Sequence, residues 1–391
     1  MRSLPLLACL ILLCSCRAVT PAADADGFVP LFNGRNLDGW ININCAPETW
    51  SVRDGVIACT GKPVGALRTV RQYENFILEA EWRHLQRSGN SGIFVWGTPI
   101  SAPGVPFLRG IEIQALDHGY AEDFEKKNGK KSDWFTVHGD VFAIHGASMK
   151  PLPPTNGKRG FPRENRSKPS PEWNHYRIEA RHGSIRLHVN GREVSGGDDI
   201  VYRKGYLALE SEGARVEFRN VRIKELPSTG AGPDVSAPLD PGWMPLFTGL
   251  DLRGWTPPAS APALWSVAGE KITHTGPALA APLWTAAEYG AAEFVFDYRA
   301  EKTAAGPVAP LTVLVRGDGA SPRAAAIPVP ADAKFHRYTV TVQGASLKWQ
   351  RNGADAVEVT LPPGTPPRGH FGLAPAGAKG AFMNLHVRPL P

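Results

Sequence analysis

Residues 110–119 read GIEIQALDHG, and they place two carboxylates, an amide and an imidazole within seven positions: Glu112, Gln114, Asp117 and His118. Carboxylate and imidazole side chains together can move protons or hold a metal, and an amide can hold hydroxyl groups. Glu112 and Gln114 alternate with Ile111, Ile113 and Ala115, so a strand puts the apolar set on one face and the two polar residues on the other. Asp117 and His118 fall at the strand's end. Patterned polar residues are also the ordinary wet face of a half-buried sheet, so the stretch by itself leaves its role open.

The elements that position these residues come from a chain of 391 residues with 41 Gly and 36 Pro. That composition predicts frequent turns and few long helices, and no convincing helix-period segment stands out. NFILEAEWR, SGIFVW, IEIQALD, HYRIEAR, IRLHVNG, YLALES and RVEFRNVRI all read as strands, and Asn190-Gly191 as a hairpin turn. The expectation is all-β, with two tandem jelly-roll β-sandwiches.

The tandem follows from an internal repeat. FVPLFNGRNLDGW (28–40) recurs as WMPLFTGLDLRGW (243–255), a shift of 215 that holds without a gap through Gly61 and Gly276. The shift is 216 at YENFILEAEWR and falls to 162 at HYRIEARHGSIRLHVNG, which places about 54 extra residues in the first copy. Residues 26–226 form the first domain, PSTGAGPDVSAPLDPG (227–242) the linker and 243–391 a degenerate second copy. Asn90, Glu112, Gln114, Asp117, His118, His138 and His145 lack clear counterparts in that copy, which reads as scaffold or binding module.

Residues 1–25 are read as an export signal and tether: Arg2, an apolar core LPLLACLILLC, then Leu13-Cys14-Ser15-Cys16, which resembles a lipoprotein box with Cys16 as the lipidated residue. This predicts a cell-envelope protein that meets the membrane only through a lipid anchor. Cys45 and Cys59 remain in the mature fold; both are absent together from the second copy, at Ser260 and His274, so they are expected to form a disulfide. The net charge of +6, partly in Gly- and Pro-containing basic runs, argues against nucleic acid as a partner.

LFNGRNLDGW, WSVRDGVI, YENFILEAEWR, NSGIF, the EIQALD core, EWNHYRI, the NG hairpin and FRNVRIKEL together resemble the 3-keto-disaccharide hydrolase domain family, also described as a 3-keto-glucoside lyase and hydratase domain, with a concanavalin-like jelly roll. The resemblance covers 28–226 and implies cleavage of 3-keto-glycosides. In that chemistry a C3 carbonyl acidifies the C2 hydrogen, a base removes it, the enolate expels the C1 substituent, and water adds to the glycal. It makes Glu112, Asp117 and His138 candidates for base and acid, and Asn90 and Gln114 donors to sugar hydroxyls. Trp134 and Trp173, with Trp96, lack a Trp in the second copy and are expected to stack on a sugar ring. A divalent metal held by carboxylate and imidazole is the other electrophile such an enolate admits, although no His-Glu-x-x-His spacing occurs. A lectin-like glycan-binding protein without chemistry, and a conventional glycosidase pairing Glu112 with Glu79 or Glu81, stand as alternatives.

Overall fold

The computed structural model describes residues 23–391 except 137, 280, 302–307, 318–322 and 378. Residues 1–22, which hold Cys16 and most of the segment read as an export signal and tether, therefore lie outside the described residues.

All seven strands expected in the first copy form, at Phe76–His84, Gly92–Gly97, Gly110–Gln114, Asn174–Arg181, Ser184–Val189, Tyr206–Ser211 and Val216–Glu225. Alternation sets their faces. In Asn174–Arg181 the side chains of Tyr176, Ile178 and Ala180 are buried while Arg177, Glu179 and Arg181 point outward, as a strand with one wet face requires. The chain forms two antiparallel sheets in this half, one of nine strands and one of eight. Between them lies one apolar core that includes Trp50, Trp82, Ile113, Tyr176 and Phe218. The fold is a jelly-roll sandwich.

The second half builds its own pair of sheets, one of eight strands and one of five, around a separate core that includes Trp265, Phe296, Tyr338 and Phe382. Its larger sheet runs Val357–Thr360, Ser346–Arg351, His336–Gln343, Ala292–Ala300, Gly380–Pro389, Ile272–His274, Trp265–Val267, with Met244–Pro245 beside Gly380–Pro389. Apart from an extra edge strand at Lys150–Pro151 in the first half, this is the order of the first half's large sheet. The irregularities repeat as well: Asn190 and Asn352 take φ of 48° and 52°, and Asn220 and Asn384 take 50° and 53°.

Three expectations need correction. Residues His118–Asn128 form an α-helix that no strand pattern announces; Asp117 caps its start by accepting from the Gly119 N–H, and Gly129 (φ 69°) closes its end. Cys45 and Cys59 are not bonded to each other but are separate buried thiols. The Cys59 sulfur accepts from the Gly61 N–H at 3.3 Å, and Cys45 lies 4.0 Å from the Pro63 carbonyl, so each finds a main-chain partner. Burial pushes the Cys59 thiol up to about 11 and Cys45 higher still. The linker, finally, is docked: Ala237 N–H donates to the Lys204 carbonyl, Asp240 pairs with Arg68, and Glu74 accepts from Ser228 and Thr229.

Candidate active site

The eight-stranded sheet of the first half carries the site. Gly110–Gln114 lies between Gly92–Gly97 and Val141–Ile144, with Glu112 opposite Phe94 on one side and Phe142 on the other. Because side chains alternate, Glu112 and Gln114 leave the sheet on the face away from the main core. They enter a cavity of about 190 Å³ together with Asn90, Trp134, Arg159, Glu210 and Glu212.

Two of the three glutamates meet there because of one missing side chain. Gly92 sits between the strands bearing Glu112 and Glu210, and a Cβ placed on it would stand 2.9 Å from Glu210 Oε2 and 3.1 Å from Glu112 Oε1. Both carboxyls thus lean into the space that glycine leaves. Burial, followed by the charge of neighbouring Glu212, pushes Glu112 up to about 8. Burial likewise raises Glu212 to about 7, and burial with the nearby Glu112 charge holds Glu210 protonated. Glu210 and Glu212 lie within side-chain hydrogen-bonding reach of each other, and no other described residue bonds either Glu210 oxygen.

A polar chain fixes this cluster from one side. Arg159 donates to Gln114 Oε1 at 2.6 Å and to Asp140 at 3.0 Å; Gln114 donates to Asn90 Oδ1 at 2.8 Å; Asn90 donates in turn to Glu212. The Arg159 guanidinium lies 3.4 Å over the Phe142 ring and 5.6 Å from that of Trp134. Trp134 is 54% exposed at the cavity mouth, a placement suited to stacking on a ring that enters from solvent.

Glu112, Asn90, Gln114 and Trp134 are therefore brought together, and four other expected residues are not. Asp117 is a cap: burial would raise it, but the N–H groups of Ser170, Ser88 and Gly119 outweigh that and hold its carboxyl low. His138 is buried, bound through Nδ1 at the Leu116 carbonyl and stacked on His118 at 5.3 Å. Burial, with His118 beside it, pushes it down to about 3, so it stays neutral. Trp173 lies between the Arg83 and Arg219 guanidiniums, whose strands belong to the other sheet. Trp96 is fully buried and donates to the Glu74 carbonyl.

Glu79 and Glu81, the expected partners for a conventional pair, also belong to the other sheet, where Arg177, Arg222 and Arg219 neutralise them. His138 faces the core, and among the described residues no three His, Cys, Asp or Glu side chains converge as a cation site.

The sequence reading missed Glu210, Glu212 and Arg159. The signal for the two acids was present: GYLALESEG (205–213) aligns with GHFGLAPAG (369–377), which replaces them by Ala374 and Ala376. Absence from the second copy had singled out Glu112 by the same logic. Arg159 sat in a basic run that reads as a solvated loop.

A 3-keto-disaccharide hydrolase of Bacteroides thetaiotaomicron is 23% identical over 256 residues, covering 52% of this chain and 80% of that protein. Two Parabacteroides distasonis crystal structures, both of candidate glycosyl hydrolases, are 23% and 26% identical, cover 52% and 51% of this chain and 95% and 99% of theirs, and have TM-scores of 0.41 and 0.37. Residues 27–224 match the family described as the 3-keto-alpha-glucoside-1,2-lyase-like domain. Through its first sandwich, with the glutamate cavity inside the matched span, the chain belongs to that family.

Proposed function

We propose that the first sandwich cleaves 3-keto-glycosides by elimination and hydration, with the Glu112, Glu210 and Glu212 cluster carrying the protons. The observation that carries this is three buried carboxyls in one cavity whose ionisation is displaced to neutral pH and above. At pH 7 such a set contains both a carboxylate and a carboxylic acid. Elimination needs that pairing.

With a carbonyl at C3, the carboxylate takes the C2 proton and the C2–H electron pair becomes an enolate. The enolate pair then forms C1=C2 while the C1–O bond breaks and the C3 carbonyl is restored. The departing oxygen takes its proton from the neighbouring acid, and water adding across C1=C2 gives net hydrolysis. We assign Glu212, nearer the rim and the more acidic of the two, to the C2 proton and Glu112, on the cavity floor and still protonated at pH 7, to the departing oxygen. Arg159 supplies a fixed positive charge for the developing enolate, and Asn90 and Gln114 hold sugar hydroxyls. The carboxyls crowd around one glycine rather than straddling a cleft, which favours this route over a two-carboxylate glycosidase.

The lipoprotein-type segment ending at Cys16 supports export to the cell envelope as part of this reading, and the second sandwich serves as a binding module. The test is to incubate the protein with a 3-keto-glucoside and with its unoxidised parent, with and without chelator, and to follow release of the C1 substituent. Release from the keto form alone, indifferent to chelator, is expected. Release from the parent, or binding without release, overturns it.

A further inference from the structure

A second recess, of about 500 Å³, opens between the two sandwiches. Pro99 and Tyr202 of the first sandwich form one side, and Leu239 and Trp243, where the connector enters the second sandwich, form the other. His145 lines both this recess and the glutamate cavity. The two spaces thus share this residue, whose imidazole is stacked on Phe107 at 5.6 Å with the ring planes 3° apart.

Two features of the recess are not accounted for by folding. Leu239 is 76% exposed although apolar neighbours surround it. Arg109, whose guanidinium lies 4.4 Å over the Tyr202 ring and donates through NH1 to the Tyr202 hydroxyl at 3.1 Å, keeps its Nε–H buried and without an acceptor. A buried charged donor left unpaired is costly. An incoming acceptor oxygen removes that cost.

We propose that this recess holds the substituent that leaves from C1, and that it is built for a planar, largely apolar phenolic aglycone. The proposal rests on the cleavage reading above. A second sugar would call for a ring of free hydroxyl partners, whereas these walls are mostly proline, leucine, tyrosine and tryptophan, and the Thr98, Ser101 and Arg337 side chains among them already pair within the protein. An aryl group stacks on such walls and offers Arg109 its oxygen. The second sandwich then contributes to choice of substrate and not to the proton transfers, in keeping with the alanines that replace its glutamates.

The full chain is assayed on two 3-keto-glucosides, one with a para-nitrophenyl and one with a methyl group at C1. Trp243→Ala and Leu239→Ser each raise KM for the aryl substrate about tenfold and leave the methyl substrate within about twofold. Leu239 is exposed enough that its replacement does not endanger the fold. Equal changes on both substrates, or none on either, overturn the proposal. If the wild type cleaves neither substrate, the cleavage reading fails, and the recess is judged by calorimetric titration with para-nitrophenol. Binding that both variants weaken upholds an aryl site; absent or unchanged binding sinks it.

Discussion

Gly92 lies beneath Glu112 with its ideal Cβ position only 3.0 Å from that residue's Cγ, so glycine at this position is what lets the carboxyl settle against Glu210. Gly92→Ala adds a methyl group where two side chains already meet. Overpacking of this kind costs about 1–3 kcal/mol, and the carboxyls must part to admit it. We expect turnover to fall at least about 100-fold while the protein still melts cooperatively, as calorimetry and kinetics on one preparation would show.

Glu112→Gln keeps the shape of the side chain and removes its proton chemistry. Turnover on a 3-keto substrate should fall by about 100- to 10,000-fold, and Glu212→Gln should fall in the same range, with substrate binding retained in both. Near wild-type turnover in Glu112→Gln would mean that the strand is only the sheet's wet face.

Asp117→Ala should separate structure from chemistry in the opposite sense. It removes the helix cap and the acceptor for Ser88, Gly119 and Ser170, costing about 1–2 kcal/mol of stability with turnover largely kept. Thermal melting set beside initial rates checks this; a loss of rate comparable to that of Glu112→Gln would restore Asp117 to the chemistry.

The pH profile of stability has a definite sign. Glu112 and Glu212 have folded values raised to about 8 and about 7, above the ordinary 4.5, so the folded state holds more protons between those limits. Their contribution is fully present below pH 4.5 and is lost as pH rises through 7 and 8. His138, lowered from 6.5 to about 3, works the other way: its contribution is present above 6.5 and lost as pH falls toward 3. Above pH 6.5 the glutamates act without that opposition. Tm should therefore decline from pH 6.5 to 8, and Glu112→Gln should flatten the decline; a decline of unchanged slope would contradict the burial argument.

The sandwich was legible because its strands alternate cleanly and because two copies aligned. Seven expected strands formed, and Glu112, Gln114, Asn90 and Trp134 emerged in one cavity. What escaped depended on contacts that no single segment states. Asp117 looked reactive beside His118, yet in the sequence it also precedes a helix that ends at Gly129, and capping took precedence. His138 and Trp173 shared the signal of absence from the second copy, but one turned into the core and the other lay between two arginines. Cys45 and Cys59 vanish together from the second copy without being bonded, since joint loss also follows when two neighbouring core thiols are repacked. Glu210 and Glu212 sat inside an ordinary strand motif, and only the glycine on the strand between shows why they matter.

The Arg68 side chain is 0% exposed, and its carboxylate partner is Asp240, sixteen residues beyond the end of the matched family span at 224. A shortened protein that stops at that boundary would leave the guanidinium only the Pro99 and Thr69 carbonyls and no carboxylate. Breaking a buried pair by removing one partner costs about 3–5 kcal/mol, a large share of what a domain of this size has to spare. The first-sandwich unit that can be cut free and still fold thus extends through the connector to at least Asp240, and poor yield from a shorter piece would reflect an orphaned charge and not a need for the second sandwich.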